Sequence, residues 1–386
     1  MNELNSVLEA RKFNKEFPQT TSITEWKARG RKVIGFTSDY VPEEIIHAAD
    51  ILPIAMISDK QIPLSDADLF LIPSLCSYSR TNFQLGYNDD FDFLDGIIIG
   101  ATCDGQRRLF DSWKRFGKAG FSYLIEVPMK LNQDYAEQRY KNILKNLIVK
   151  LNEYFGIYIT DEALKQSISA VNTKRKLLRE ICETRKRHPA VISGAEMMEV
   201  MNAGLRLPLD QYIKLLNNLL SEIGESKSRV NGNIRLMLCG APQNSVGFIS
   251  AIEKMGAIVV VDELRMGSRQ WIGLIEESKD SDPLDIIAKR YHGKLPEPTF
   301  SPYEKRLDSL LSLAKEYKVD GVISNIVRHC IPHTYLGPVT KRYFETHKIP
   351  ILELETEYGM EATGQIQTRV QAFFEIIEAR RNDETR

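Results

Sequence analysis

The sequence predicts an α/β protein in which two lobes, each built on a parallel sheet, are joined by a helical region. Three observations lead to this prediction. Short apolar runs alternate with helical patterns in two blocks of the chain, which is typical of parallel strands covered by helices on both faces. A long helical stretch separates the two blocks. The length of 386 residues is enough for two or three domains.

The first block contains a β-α-β unit followed by two further strands. Its helix is indicated by Pro42 followed by Glu43 and Glu44, because proline and acidic residues favour the first helical turn. The apolar runs are too short for helices and are rich in Ile and Val, which favours buried strands. These strands are predicted at residues 32–37, 51–57, 96–100 and 121–127.

The middle of the chain is predicted to be helical. Helical patterns run through residues 134–188, and a capping box at Ser193 and Glu196 begins another helix. Residues 209–223 continue in the same way, and the polar stretch 224–229 marks the start of the second block. The second block shows the same alternation of strands and helices as the first. Its strands are predicted at residues 234–238, 257–262, 320–325 and 350–354, and its helices at residues 244–255, 303–317 and 366–380.

These elements predict two Rossmann- or flavodoxin-like lobes. The predicted division is an N-terminal helical segment at 1–30, a first α/β lobe at 31–133, a helical region at 134–230 and a second α/β lobe at 231–386. Ligands in such sheets lie beyond the carboxyl ends of the strands. The cleft between the lobes is therefore the expected site.

Composition and charge argue against several classes of partner and location. The chain has 51 Lys and Arg against 52 Asp and Glu, a net charge of −1, so it lacks the basic surface expected of a protein that binds nucleic acid or an anionic membrane. No apolar run approaches the roughly 18 residues of a membrane span. The N-terminus shows no secretory signal pattern. We therefore expect a cytoplasmic protein.

Five cysteines are spread over the chain and form no C-x-x-C pair. Their odd number and wide spacing argue against a disulfide framework, a zinc ribbon and a thioredoxin-like site. Cys103 and Cys330 follow predicted strands, and Cys76 lies in a predicted loop. Three thiolates at the interlobe cleft could hold an iron–sulfur cubane and leave one iron open. Ordinary buried cysteines are the alternative.

The other two cysteines are ranked lower. Cys182 lies within the long helical stretch and is expected to be a packing residue. Cys239 ends a predicted strand and could neighbour a cluster.

The cysteine segments are LCSYSR at 75–80, ATCDGQRR at 101–108 and RHCIPH at 328–333. They resemble the cysteine segments of the 2-hydroxyacyl-CoA dehydratase family, which also includes benzoyl-CoA reductase subunits and double-cubane cluster proteins. Residues 35–49 match the family's N-terminal pattern, with Asp50 where Gly is common. Residues 365–373 resemble the family's ending, so the likeness runs from about residue 30 to the C-terminus.

The resemblance implies one oxygen-sensitive [4Fe-4S] cluster held by Cys76, Cys103 and Cys330. It also implies a heterodimer with a related second dehydratase subunit and a separate ATP-hydrolysing iron–sulfur activator that supplies the electron. The implied reaction is a lyase reaction on an (R)-2-hydroxyacyl-CoA. One low-potential electron enters the thioester carbonyl, and the resulting ketyl radical expels the 2-hydroxyl group. A protein base then removes the β-hydrogen as a proton, and the electron is recovered.

Other polar residues near the expected cleft are candidates for the chemistry. The resemblance suggests that Ser38 lies near the open iron or the leaving hydroxyl, with a local turn bond as the alternative. Glu43 could supply a catalytic base or only complement the helix dipole. His329 and His333 flank Cys330 and could shuttle protons or serve as structural hydrogen-bonding groups.

Several functions remain open beside the dehydratase. A benzoyl-CoA reductase-type subunit would keep the electrons in the product, and a double-cubane protein would reduce small molecules. Residues 262–266 and 291–295 contain no cysteine, which counts against a second cubane. A non-catalytic electron-transfer subunit is a further alternative. A metal-free nucleotide or sugar binder lacks support, because residues 238–243 lack the spacing of a dinucleotide loop.

Overall fold

A computed structural model of the chain describes residues 3–89, 91–226, 230, 232–277 and 280–384. The described residues form two four-stranded sheets, and every pair of neighbouring strands is parallel. The predicted α/β class with two lobes is confirmed. The polar stretch predicted at 224–229 and the boundary at 230/231 fall partly on residues 227–229 and 231, which lie outside the described residues. The exact domain division stays a prediction.

The first lobe follows two N-terminal helices, α1 (Asn5–Glu16) and α2 (Thr21–Ala28). Its strands are β1 (Val33–Phe36), β2 (Leu52–Ala55), β3 (Gly96–Gly100) and β4 (Phe121–Ile125). Every residue of β1, β2 and β3 is buried, as expected for parallel strands covered on both faces. The helices between them are α3 (Glu43–Ala48), α4 (Ala67–Phe70), α5 (Ser77–Tyr87) and α6 (Asp104–Phe116).

The middle of the chain forms four helices: α7 (Ala136–Phe155), α8 (Asp161–Thr184), α9 (Gly194–Gly204) and α10 (Leu209–Glu225). The predicted capping box is confirmed. Ser193 Oγ accepts a hydrogen bond from the Glu196 N–H at 3.1 Å, and the Glu196 carboxylate accepts one from the Ser193 N–H at 2.9 Å. The two bonds satisfy backbone donors that a helix start otherwise leaves unpaired.

The second lobe contains β5 (Ile234–Gly240), β6 (Ala257–Glu263), β7 (Gly321–Val327) and β8 (Ile351–Thr356). Five helices accompany them: α11 (Val246–Glu253), α12 (Pro283–Gly293), α13 (Glu304–Glu316), α14 (Ile331–Thr346) and α15 (Gly364–Glu384). Helices α12 and α14 were not predicted from the sequence. Helix α14 carries Pro332 in its first turn, where proline is favoured, but Pro338 lies inside the helix, where proline normally indicates a break.

The two sheets have the same topology. The strand order is β2-β1-β3-β4 in the first sheet and β6-β5-β7-β8 in the second. In each lobe the order reverses between the first and third strands, and this switch point is where open α/β sheets bind ligands. Cys103 follows β3, and Cys330 follows β7. The topology therefore brings one cysteine of each lobe to a switch point.

The lobes share a continuous core with the helical region. One cluster of buried apolar side chains includes Ile34 of β1, Leu144 of α7, Ile168 of α8 and Ile287 of α12. Packing between lobes therefore fixes their relative position through the same contacts that stabilise each lobe. Among the described residues, no helix has the length and apolar character that a membrane span requires.

We predict that Gly240→Ala is much more destabilising than Gly256→Ala. Both glycines have positive φ, at 115° and 101°, so alanine is strained at either position, by roughly 1–3 kcal/mol. A Cβ at Gly240 would lie 2.1 Å from the backbone oxygen of Asn325 in β7, whereas a Cβ at Gly256 would meet nothing within 4 Å. Urea unfolding should show a loss at Gly240 at least about twice the loss at Gly256. Equal losses would contradict the close approach of β5 and β7.

Candidate metal centre

Each of the three candidate cysteines lies directly before a helix. Cys76 precedes α5, Cys103 precedes α6 and Cys330 precedes α14. The prediction of a loop around Cys76 was wrong for the residues that follow it, because Ser77–Tyr87 is helical. The serine-rich segment had the composition of a loop. Its serines instead lie in the first turn of α5 and are buried there.

The helix starts determine the electrostatic environment of the thiols. The first backbone N–H groups of a helix have no partner within the helix, and the helix dipole places partial positive charge there. Such a position favours a thiolate over a thiol. The fold therefore presents three helix N-termini, one for each cysteine, to sulfur atoms that would be anionic in a metal complex.

The three cysteines share one buried region between the lobes, which we call the thiol cradle (Cys76, Cys103, Cys330 and Gly105). A Cβ added to Gly105 would lie 3.7 Å from both the Cys76 Sγ and the Cys103 Sγ, so these two sulfurs border the same small space. Cys330 of the second lobe packs in the same apolar cluster as Cys76, together with Tyr358. The cradle thus takes residues from both lobes.

The thiols differ in their affinity for protons. A hydrogen bond donated by the Cys330 thiol is the largest influence on Cys76 and lowers its pKa to about 6, although burial opposes this shift. The same bond, together with burial, raises the pKa of Cys330 well above its usual range. Burial raises the pKa of Cys103 to about 11. Binding of a metal by all three thiolates would therefore release protons from Cys103 and Cys330.

A chain of buried hydrogen bonds leads from β1 to Cys76. The Thr37 hydroxyl donates to Gln106 Oε1 at 2.5 Å, and the Gln106 amide donates to Ser79 Oγ at 3.3 Å. Ser79 Oγ lies 3.6 Å from Cys76 Sγ. All these side chains are buried. Because Ser79 accepts from Gln106, its own hydroxyl proton is free to stabilise a thiolate at Cys76.

A cation of the second lobe lies against the cysteine segments of the first. Arg265 follows β6 and donates a hydrogen bond to Thr102 Oγ1 at 3.2 Å, directly beside Cys103. Its guanidinium carbon lies 5.6 Å from the centre of the Tyr78 ring, two residues after Cys76. Arg265 was not among the candidates predicted from the sequence. Its position just past the carboxyl end of a strand was the available signal, since ligands of such sheets bind there.

The cradle fits a cluster better than a single ion. Among the described residues, no three His, Cys, Asp or Glu side chains are grouped to hold one metal ion. In a cubane each thiolate binds a different iron, so the sulfurs need not converge on one point. Three thiols, three helix starts and a glycine that keeps the space between two sulfurs free of a side chain suit a bulky anionic group. The residues present therefore fit a three-thiolate cubane.

Ser38 and Glu43, the two candidate catalytic residues, each have a hydrogen-bonding partner within the chain. Ser38 is fully buried, and its Oγ accepts a hydrogen bond from the Tyr40 N–H at 3.2 Å, which is the local turn bond considered as its alternative role. Glu43 accepts a hydrogen bond from Lys174 Nζ at 2.5 Å. Burial would raise the pKa of Glu43, but the positive charges of Lys174 and Arg175 prevail and lower it to about 2. A catalytic role for either residue stays a prediction.

The histidines that flank Cys330 have different environments. His329 is exposed and has a φ of 62° in the left-handed region. His333 is buried in α14, and burial together with the positive charge of Arg306 lowers its pKa to about 3. Such a histidine stays neutral at physiological pH. A proton-shuttle role for either histidine stays a prediction.

The two remaining cysteines are buried outside the cradle. Cys182 packs in the core formed by α1, α8, α9 and α10. Cys239 lies within β5 and packs with residues of α13 and β6. Burial raises the pKa of each thiol to about 12, which keeps both protonated.

The sequence of this chain is similar to those of known proteins over most of its length. The profile described as 2-hydroxyglutaryl-CoA dehydratase, D-component, matches residues 39–377. The chain is 25% identical to the (R)-phenyllactyl-CoA dehydratase beta subunit of Clostridium sporogenes, over 94% of this chain and 96% of that protein. It is 28% identical to a benzoyl-CoA reductase subunit of Thauera aromatica, over 90% and 91%. It is 24% identical to the (R)-2-hydroxyglutaryl-CoA dehydratase beta subunit of Acidaminococcus fermentans, over 92% and 95%.

We predict that Glu43 contributes to stability through Lys174. Glu43→Gln leaves the buried Lys174 ammonium unpaired and should lower the free energy of unfolding at pH 7 by about 3–5 kcal/mol. The folded pKa of about 2 lies below the usual 4.5, so this contribution is complete above pH 4.5 and is lost as the pH falls toward 2. The difference between wild type and variant should therefore shrink below pH 4.5, as urea unfolding can measure.

The control for this prediction is Glu153→Gln. Glu153 forms an exposed ion pair with Lys150 at 2.8 Å, so its loss should cost under about 1 kcal/mol. Full stability of Glu43→Gln at pH 7 would contradict the structural role and favour the proposed catalytic base.

Proposed function

Because this chain belongs to the 2-hydroxyglutaryl-CoA dehydratase D-component family, we propose that it is the [4Fe-4S] subunit of a 2-hydroxyacyl-CoA dehydratase. The proposed complex is a lyase that removes water from an (R)-2-hydroxyacyl-CoA. The observation that carries the proposal is the thiol cradle, in which cysteines of both lobes meet, each before a helix. A cysteine that only packs in a core does not require a position before a helix and beside other thiols.

The residues proposed to hold the cluster are Cys76, Cys103 and Cys330. Three protein ligands leave one iron open to a fourth ligand. When bound, the cluster would supply a low-potential electron and a Lewis-acidic iron for the radical elimination of water. The chain's own contribution is to place each cysteine before a helix N-terminus, where partial positive charge offsets part of the cost of ionising a buried thiol. The Ser79 hydroxyl lies 3.6 Å from Cys76 Sγ and can donate to a thiolate there.

Buried groups surround much of the cradle. Ser38, Thr102 and Gln106 are fully buried, and the Tyr78 and Tyr358 rings meet edge to face, with their centres 4.9 Å apart, in the apolar cluster around Cys76. A dry site suits one-electron chemistry because water would quench reactive intermediates. Cys103 and Cys330 are less deeply buried than Cys76, so the accessible side of the cradle is at these two residues.

A partner subunit is part of the proposal. The three relatives are each named as one subunit of an enzyme, which implies complexes of several chains. Exposed apolar side chains accompany the cysteine segments of this chain: Ile72 is 65%, Ile331 61% and Tyr335 80% exposed. Exposed apolar groups of this kind are typical of interaction surfaces. We propose that a related second dehydratase subunit binds the chain and that an ATP-hydrolysing iron–sulfur activator delivers the electron.

A benzoyl-CoA reductase-type subunit is the second candidate. The 28% identity to the reductase protein of Thauera aromatica favours it. Both functions use a low-potential electron, and they differ in whether the electrons remain in the product. The cradle has the same role in either case.

The direct test is an anaerobic assay of the chain with its partner subunit, activator and ATP. Incubation with (R)-2-hydroxyacyl-CoA thioesters should yield the unsaturated acyl-CoA with the loss of one water, detected by mass spectrometry. A product that has gained electrons from an aromatic acyl-CoA would favour the reductase. Absence of both products from a cluster-containing complex would leave a non-catalytic electron-transfer role.

We predict that serine at Cys76, Cys103 or Cys330 removes most of the iron from anaerobically purified protein. The hydroxyl of serine is a poor ligand for iron in such clusters, which favour soft thiolates. Cys182→Ser is the matched control and should keep wild-type iron, because Cys182 packs outside the cradle. Full iron in Cys330→Ser would overturn the ligand assignment.

A further inference from the structure

Arg265 is a buried cation at the junction of the two lobes. It lies two residues past the end of β6, and only 8% of its side chain is exposed. Burying an arginine without a partner is costly, so its contacts indicate what the charge is for. One contact, with Glu297, holds the guanidinium in place. Two others, with Thr102 and Tyr78, join it to the cysteine segments of the first lobe.

Glu297 holds Arg265 in place. The Arg265 Nε donates a hydrogen bond to Glu297 Oε1 at 3.2 Å, and Glu297 is itself buried. Glu297 also lies 3.6 Å from Arg269, which forms ion pairs with Asp39 and Glu263. The Glu297 carboxylate thus lies within ion-pair distance of both Arg265 and Arg269.

The remaining contacts of Arg265 are with the first lobe. One guanidinium nitrogen donates to Thr102 Oγ1 at 3.2 Å, and Thr102 accepts a second hydrogen bond at its carbonyl from Thr299 at 2.6 Å. The guanidinium also lies within cation–π range of Tyr78. Thr102 and Tyr78 are one and two residues from Cys103 and Cys76. The cation is therefore positioned between two of the three cysteine segments.

We propose that Arg265 is a positioning residue that raises the reduction potential of the [4Fe-4S] cluster by placing a buried positive charge beside the thiol cradle. The inference rests on the proposed function. A one-electron reductant adds one electron to the cluster without a proton, so the site gains one negative charge. In a buried site with low dielectric constant, a nearby cation stabilises the more negative state more strongly.

The test is the midpoint potential of the cluster, measured by anaerobic titration with titanium(III) citrate and followed by electron paramagnetic resonance. Arg265→Met, which removes the charge, should shift the midpoint to more negative values. Arg265→Lys, which keeps it, should remain closer to wild type. The control is Arg328→Met, since Arg328 lies two residues from Cys330 but is 55% exposed and paired with Glu355. Its midpoint should not move, because water screens its charge.

Iron content separates this inference from the proposed function. No iron in the wild-type protein would refute the function itself. An unchanged midpoint in Arg265→Met with full iron would overturn only the role of Arg265. If Arg265→Met fails to fold because Glu297 is left unpaired, Arg265→Met with Glu297→Gln takes its place. A smaller shift to more negative values is then expected, because the double variant removes the Glu297 carboxylate together with the nearer positive charge. Loss of the cluster in both Arg265→Met variants, with retention in Arg265→Lys and Arg328→Met, would support the need for the Arg265 charge. Loss in Arg265→Lys as well would contradict it.

Discussion

Buried ion pairs between the lobes are the constraint on which the candidate site depends. Asp39, just beyond β1 in the first lobe, accepts hydrogen bonds from Arg269 at 2.9 Å and from Lys294, both in the second lobe. The charges of Lys294 and Arg269 outweigh burial and lower the pKa of Asp39, so the pairing keeps this carboxylate ionised. Such pairs add little net stability, but losing one partner costs about 3–5 kcal/mol. They therefore favour one arrangement of the lobes, and that arrangement brings Cys330 to Cys76.

Parallel-sheet topology explains why the cysteines meet at all. Strand carboxyl ends and helix N-termini lie on the same edge of a parallel sheet, so a residue between them faces the ligand-binding crevice with unpaired N–H groups nearby. Cys103 between β3 and α6 and Cys330 between β7 and α14 have this position in their respective lobes. Because the two lobes have the same strand order and face each other, one shared cradle results. Arg265 adds a positive charge to a site already favourable to anions.

Much of this architecture could be predicted from the sequence, because strands, helix starts and cysteines leave local signals. The eight strands of the described residues and the capping box at Ser193 lie where the sequence patterns predict them. Asp50 has a φ of 55°, in the left-handed region that favours glycine. This conformation explains why Gly is common at the same position of the family pattern. The partners of buried charges were not predictable, since Glu43 and Lys174 are 131 residues apart in the chain. Arg265 and Thr102 are 163 residues apart in the chain, and no local sequence pattern reveals such a contact.

The most direct test of the cluster assignment is the iron and acid-labile sulfide content of the chain purified without oxygen. The thiol cradle predicts about four of each per polypeptide, the content of one cubane. A value near eight would indicate a second cluster and favour a double-cubane reductase. A stable, folded chain without iron or sulfide would contradict the account, because the three cysteines would then be structural.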